Sequence, residues 1–116
     1  MEKVIKQRQI KIKVGLNEEN IPVDLTWQAE DNPNGRTPQE CKAILLSFFD
    51  KNTMDTLKID LWTKDMQVME MDRFFYQTLR ALGDTYFRAT QNRDLAADIQ
   101  RFVQYFGEKT EVIPKG

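Results

Sequence analysis

The fold is decided by one stretch of sequence, Thr56-Leu57-Lys58-Ile59-Asp60-Leu61-Trp62-Thr63-Lys64-Asp65-Met66. Within it, Leu57, Ile59 and Leu61 alternate with the other residues, which is the period of two typical of a strand with one face on a core. Immediately after this stretch the apolar residues recur at steps of three and four, the period of an amphipathic helix. The stretch therefore predicts a strand, a sharp exit and a long helix, in that order.

Two amphipathic helices are predicted downstream. The first begins at Val68 and continues to about Ala89, because its apolar residues keep the helical spacing throughout. Asn92 or Asp94 can cap the second helix, and Gly107 can end it. The apolar stripes comprise Val68, Met71, Phe75, Leu79, Leu82, Tyr86 and Ala89 in the first helix, and Leu95, Ile99, Phe102, Val103 and Phe106 in the second.

An antiparallel hairpin is predicted upstream of the quoted stretch. Apolar residues alternate with polar ones over residues 10–16 and again over 21–29, and the turn residues 17–20 separate the two runs. Pro22 has no N–H donor, so we expect it at the start of its strand or on a sheet edge. Residues 30–38 are predicted to form a loop.

The segment that follows this loop can be interpreted in two ways. Thr37-Pro38-Gln39-Glu40 is similar to a helix capping box, and the apolar residues from Cys41 to Phe49 also fit one helical face. The run 43–49 is equally typical of a short buried strand that is apolar on both faces. We favour the strand, which would form a second hairpin with residues 56–62; the alternative makes residues 38–50 helical and leaves three strands.

These elements predict an α+β fold. We expect an antiparallel β-sheet of four strands in two hairpins, followed by two α-helices packed on one face of the sheet. A chain of 116 residues can bury enough surface to form one domain. We therefore predict a single domain over residues 1–116, with flexible ends at 1–9 and 108–116.

Composition excludes several classes of function. A net charge of −1 argues against nucleic-acid binding through general charge. No apolar run approaches the roughly 20 residues that span a bilayer, and the first residues do not form a signal peptide, so we expect a cytoplasmic protein. One cysteine and no histidine exclude an internal disulfide, the common zinc sites and histidine-based catalysis. We expect no enzymatic activity and no cofactor.

Trp62 is the leading candidate for a functional residue. If the apolar residues of its strand face the helices, Trp62 lies on the opposite face beside Lys58 and Asp60. Leu46 and Phe48 would enlarge this patch if they share that face, giving a contact surface for a partner or for self-association. The alternative is that the strand ends one residue earlier and Trp62 folds under the start of the helix.

Asp60, Lys64 and Asp65 carry groups that are suited to acid–base chemistry. A solvated ion pair, with Asp65 capping the following helix, explains the same residues without catalysis. We adopt that interpretation, and we expect Cys41 to act as a small apolar residue.

The stretch 56–66 also resembles a known family, the gliding motility-associated protein GldC family. Four further segments are similar to it, namely residues 27–31, 42–47, 74–79 and 84–90. Two positions depart from the family pattern: Gln67 stands where proline is expected, and Phe49 stands where tryptophan is expected.

The resemblance implies a small cytoplasmic accessory protein of bacterial gliding motility, which acts through contacts with protein components of the gliding machinery. It supplies no catalytic residue. The order of strands followed by two helices is also similar to that of the export chaperone SecB, by topology alone. Chaperone-like client binding is therefore the alternative function, and a homo-oligomer is compatible with either role.

Overall fold

The computed structural model describes residues 2–31 and 37–115. The strands are β1 (Ile10–Leu16), β2 (Pro22–Ala29), β3 (Gln39–Cys41), β4 (Ala43–Phe49) and β5 (Thr56–Trp62), and the helices are α1 (Val68–Thr90) and α2 (Arg93–Lys109). The α+β class and the order of strands before helices are confirmed. The chain divides into two compact units, with the strands in the first, up to Met66, and the helices in the second, from Gln67. The packing of the helices on one face of the sheet stays a prediction.

The strands β1, β2 and β3 form an antiparallel sheet in that order. Val14 pairs with Leu25 and Ile12 pairs with Trp27, so these apolar side chains share one face, as the alternation predicts. Leu25 on this face is fully buried. Pro22 begins β2, as predicted, and residues 32–36 of the predicted loop lie outside the described part of the chain.

The strands β4 and β5 form an antiparallel hairpin, so the helical alternative for residues 38–50 is wrong. Leu46 pairs with Ile59 and Phe48 pairs with Leu57. The apolar side chains that would have lined a helix are instead paired across two strands. The number of strands is five rather than the predicted four because the backbone bends at Lys42, which separates β3 from β4.

The turn between β4 and β5 is held by Asp50. Its carboxylate Oδ1 accepts hydrogen bonds from the backbone N–H groups of Asn52 and Thr53, both at 2.8 Å. These bonds lower the pKa of the Asp50 carboxyl because they favour its ionised form. Met54 adopts a φ of 63°, in the left-handed region, and the N–H of Asp50 donates to the carbonyl of Asp55 at 2.8 Å. The turn therefore closes the hairpin with one defined geometry.

The helix α1 begins at Val68, as predicted, but Asp65 does not cap it. Gln67 is the N-cap residue, and its backbone N–H donates to Oε1 of Glu70 at 2.9 Å. Asp65 accepts a hydrogen bond from Thr63 instead, so its predicted capping role is wrong. Proline, expected at position 67 from the family resemblance, could not make this bond because it has no N–H.

Gln91 and Asn92 connect the two helices. Gln91 has a φ of 60° in the left-handed region, and its N–H donates to the carbonyl of Phe87 at 2.8 Å, which closes the end of α1. Asn92 then caps α2, because its Oδ1 accepts a hydrogen bond from the N–H of Leu95 at 3.1 Å. Of the two predicted cap residues, Asn92 and Asp94, it is therefore Asn92 that caps α2.

Small residues line the contact between α1 and α2. Gly83 and Gly107 are both buried. A Cβ atom added at Gly107 would stand 2.6 Å from Cε1 of Tyr76 and 2.8 Å from Cγ1 of Ile113. Gly107 is therefore a packing residue, and the prediction that it ends the helix is wrong, since α2 continues to Lys109.

We expect Gly107→Ala to lower the free energy of unfolding by about 1–3 kcal/mol, because Tyr76 and Ile113 would have to move. The higher helix propensity of alanine, worth about 1 kcal/mol, offsets only part of this loss. Gly83→Ala is the control with the smaller expected loss, since the atom nearest its added Cβ is the end of the flexible Gln100 side chain. Urea unfolding followed by circular dichroism measures both. A Gly107→Ala variant as stable as the wild type would contradict this account of the packing.

Candidate interaction surface

The register of β4 and β5 assigns each candidate residue to one face of the hairpin. Residues directly opposite each other in an antiparallel pair project from the same face, and successive residues alternate. Trp62 therefore shares its face with Lys58 and Asp60. Leu46 and Phe48 lie on the other face, so the register divides the five candidate residues into two groups.

The first group belongs to a mixed surface, which we call the Trp62 face. Its members are Ala43, Leu45, Ser47 and Phe49 of β4 and Thr56, Lys58, Asp60 and Trp62 of β5. Trp62 is 51% exposed at one end, and Phe49 is exposed at the other. Between these aromatic side chains, Nζ of Lys58 lies 3.0 Å from Oδ2 of Asp60. The Trp62 face thus combines two exposed aromatic side chains with one charge of each sign.

The second group belongs to a uniformly apolar surface, which we call the apolar face. It consists of Ile44, Leu46 and Phe48 of β4 and Leu57, Ile59 and Leu61 of β5. Phe48, Leu57 and Ile59 are exposed in the chain. Water contact with apolar area of this kind is unfavourable by roughly 25 cal/mol per Å², so a surface of this composition is also suited to contact with another element or protein.

Thr63, directly after β5, holds the hairpin in the first unit. It is buried, its N–H donates to the carbonyl of Lys42 at 2.8 Å, and its Oγ1 donates to Oδ1 of Asp65 at 2.6 Å. The N–H of Lys64 donates to the carbonyl of Pro22 at 2.9 Å. These bonds connect the end of β5 to β2 and to the bend at Lys42. The sequence pattern did not indicate this role, because a single threonine after a strand carries no signal of its partners.

The charged residues near the end of β5 form separate contacts. Asp60 pairs with Lys58, whereas Oδ2 of Asp65 lies 3.9 Å from Nζ of Lys42. The hydrogen bond from Thr63 lowers the pKa of Asp65, and the positive charge of Lys42 lowers it further. A carboxyl group with a lowered pKa is ionised at neutral pH and accepts a proton poorly, so this environment suits an ion pair better than a general base.

Cys41 lies half-buried at the end of β3. Burial raises the pKa of its thiol, and the negative charge of Asp24 raises it further, although a hydrogen bond with the Ala43 backbone acts in the opposite direction. A thiol with a raised pKa is protonated at neutral pH and is a weak nucleophile. The environment is the one expected of a small apolar residue.

Within residues 2–31 and 37–115, no three acidic or cysteine side chains come close enough together to hold a metal ion. In the same part of the chain, neither α1 nor α2 combines the length and the apolar character that a membrane crossing requires.

Comparison with known proteins gives one match. A family model described as gliding motility-associated protein GldC-like matches residues 22–112. The matched region begins with β2 and ends after α2, so it contains the whole β4–β5 hairpin and both of its faces. No curated protein and no solved structure matches the chain significantly.

We expect Thr63→Val to raise the pKa of Asp65 towards its ordinary value, because valine has no hydroxyl to donate to the carboxylate. The pKa of Asp65 is lower in the folded than in the unfolded chain, so its stabilising contribution is present at neutral pH and is lost as the pH falls through the folded-state value. The part of the stability difference between wild type and variant that comes from Asp65 should therefore disappear in acid. Side-chain carboxyl NMR titration measures the pKa, and Asp50, held by its own turn, serves as the internal control. If the pKa of Asp65 is the same in the variant as in the wild type, the Thr63 hydroxyl is not what lowers it.

Proposed function

This chain belongs to the GldC-like family of gliding motility-associated proteins, and on that basis we propose that it is a non-enzymatic, cytoplasmic accessory protein of bacterial gliding motility that acts through protein–protein contacts. The observation that carries the proposal is the Trp62 face, where a half-exposed tryptophan adjoins an ion pair on a two-stranded scaffold. The cytoplasmic location rests on the resemblance of the sequence to the family.

The composition of the Trp62 face is suited to a protein partner. Tryptophan is enriched among the residues that contribute most to binding, because it buries a large rigid surface at low cost in conformational entropy. Lys58 and Asp60 beside it supply charges that orient a partner, although their exposed ion pair contributes little to stability. Because the turn at Asp50 and the bonds of Thr63 hold both ends of the hairpin, this surface is formed before binding.

The non-enzymatic part of the proposal rests on the chemistry of the side chains. The chain has no histidine. Asp65 has a lowered pKa and Cys41 a raised one, so neither is poised to exchange a proton near neutral pH. Proteins of the gliding machinery are the partners that the family membership favours.

We expect Trp62→Asp to fold but to fail in restoring motility to a gliding bacterium that lacks its own copy of the protein. Removing a tryptophan anchor and adding a charge should weaken partner binding by about 30-fold or more. The matched control is Met54→Asp, which adds the same charge at an exposed residue in the turn of the same hairpin. Motility on agar and affinity capture with mass spectrometry give the two readouts, and circular dichroism checks folding.

Normal motility and unchanged capture by a folded Trp62→Asp protein would refute the proposed contact surface. Equal loss in Met54→Asp would assign the effect to added charge rather than to the Trp62 face. If the purified protein instead suppresses aggregation of an unfolded substrate protein, and Trp62→Asp does so equally well, the chaperone-like alternative is favoured.

A further inference from the structure

The helical unit carries a second apolar surface that is separate from the β4–β5 hairpin. A groove of about 510 Å³ lies along α1 and α2. We call this surface the helix face; it is formed by Leu79, Leu82 and Tyr86 of α1 and by Leu95, Ile99 and Phe102 of α2. Leu82, Leu95 and Phe102 are respectively 56%, 48% and 52% exposed in the chain.

The way in which α1 packs on α2 explains why these large side chains are left outside. The buried residues Gly83, Ala96 and Val103 each directly follow a residue of the helix face. Adjacent residues are 100° apart around a helix, so a small residue turned into the contact leaves its larger neighbour on the outer side. The close approach of the two helices therefore creates a continuous apolar stripe on one side of the pair.

We propose that the helix face binds the same face of a second copy of this chain, which forms a four-helix bundle. The residues of the α1 stripe are separated by three and four positions, and those of the α2 stripe by four and three. This alternation is the spacing with which side chains of neighbouring helices interlock in bundles. A two-fold axis brings the same surface of each copy together, which is the usual arrangement of a homodimer.

The exposed apolar area matches the requirement of a stable dimer. Phe75 of α1 and Tyr105 of α2, which continue the two stripes away from the connection between the helices, are 39% and 59% exposed. Together with Leu82, Leu95 and Phe102 they expose roughly 500 Å² of surface to water. This figure takes about 200 Å² as the total surface of each side chain. A standard interface buries about 800 Å² on each partner, and about 65% of a homodimer interface is apolar, which is again about 500 Å².

The charges around the helix face favour a second copy over a charged partner. Asp98, at the edge of the groove, forms an ion pair with Arg101 of the same helix, so it is already neutralised. The residues that precede the α1 stripe positions, Thr78, Ala81 and Thr85, carry no charge. On α2 the corresponding residues are Asp94, Asp98 and Arg101, which leave one net negative charge per copy beside the stripe, so repulsion between two identical faces is small. This dimer does not depend on the proposed role in gliding.

Light scattering coupled to size-exclusion chromatography, together with sedimentation equilibrium, tests the proposal on the full-length chain. The wild type should be a dimer and should remain one in 1 M NaCl, because the contact is apolar. Leu82→Glu should raise the dissociation constant by about 100-fold or more, since the two-fold axis places two uncompensated carboxylates in the interface. Gln77→Glu is the matched control: it adds the same charge on the far side of α1 and should leave the dimer intact.

Circular dichroism establishes whether each variant keeps its helices. If Leu82→Glu loses them, Leu95→Gln on the other helix replaces it and should weaken the dimer in the same way. A monomeric wild type would overturn the proposal. Dimers of unchanged affinity in a folded Leu82→Glu or Leu95→Gln variant would equally overturn it.

Discussion

The pairing of β4 with β5 in a single register is the constraint on which the functional account depends. Side chains alternate along a strand, so a slip of one residue would move every side chain of that strand to the opposite face. Such a slip of β5 would carry Trp62, Lys58 and Asp60 together to the side of Ile44, Leu46 and Phe48, and would break up both faces of the hairpin. The turn at Asp50 and the backbone bonds of Thr63 hold the two ends of the hairpin, and together they define which face Trp62 occupies.

Both units place apolar side chains outside for an identifiable packing reason. In the hairpin, cross-strand pairing collects six apolar residues on one face and leaves two aromatic residues exposed on the other. In the helical unit, the glycines at positions 83 and 107 let the helices approach closely, and larger neighbouring residues then lie on the outer side. Exposed apolar surfaces of this kind are suited to binding other proteins.

Much of the fold could be predicted from the sequence, because the period of the apolar residues reports local geometry directly. The strand at residues 10–16 has the predicted bounds, and Val68 begins α1 as the change of period indicated. Features that depend on distant residues were not predictable in this way. The sequence predicts a helix end at Gly107 because nothing next to it in sequence reveals Tyr76, which packs against it from α1.

The candidate surface could also be predicted only as far as it depends on residues that are near in sequence. The grouping of Trp62 with Lys58 follows from alternation within one strand, so the sequence was sufficient for it. The faces of Leu46 and Phe48 relative to Trp62 depend on which residues of β4 lie opposite those of β5, and only the register supplies that information. The strand β3, which precedes the bend at Lys42 and was not predicted, likewise depends on its pairing with distant residues of β2.

The most direct test of the central claim is site-specific photo-cross-linking in living cells of a gliding bacterium, with a photoreactive amino acid placed at position 62 or at position 57 of the same strand. The two positions lie on opposite faces of the hairpin, and each variant serves as the control for the other. The account predicts that position 62 forms a cross-link to a protein of the gliding machinery and that position 57 does not. A cross-link to such a protein from position 57, with none from position 62, would contradict it.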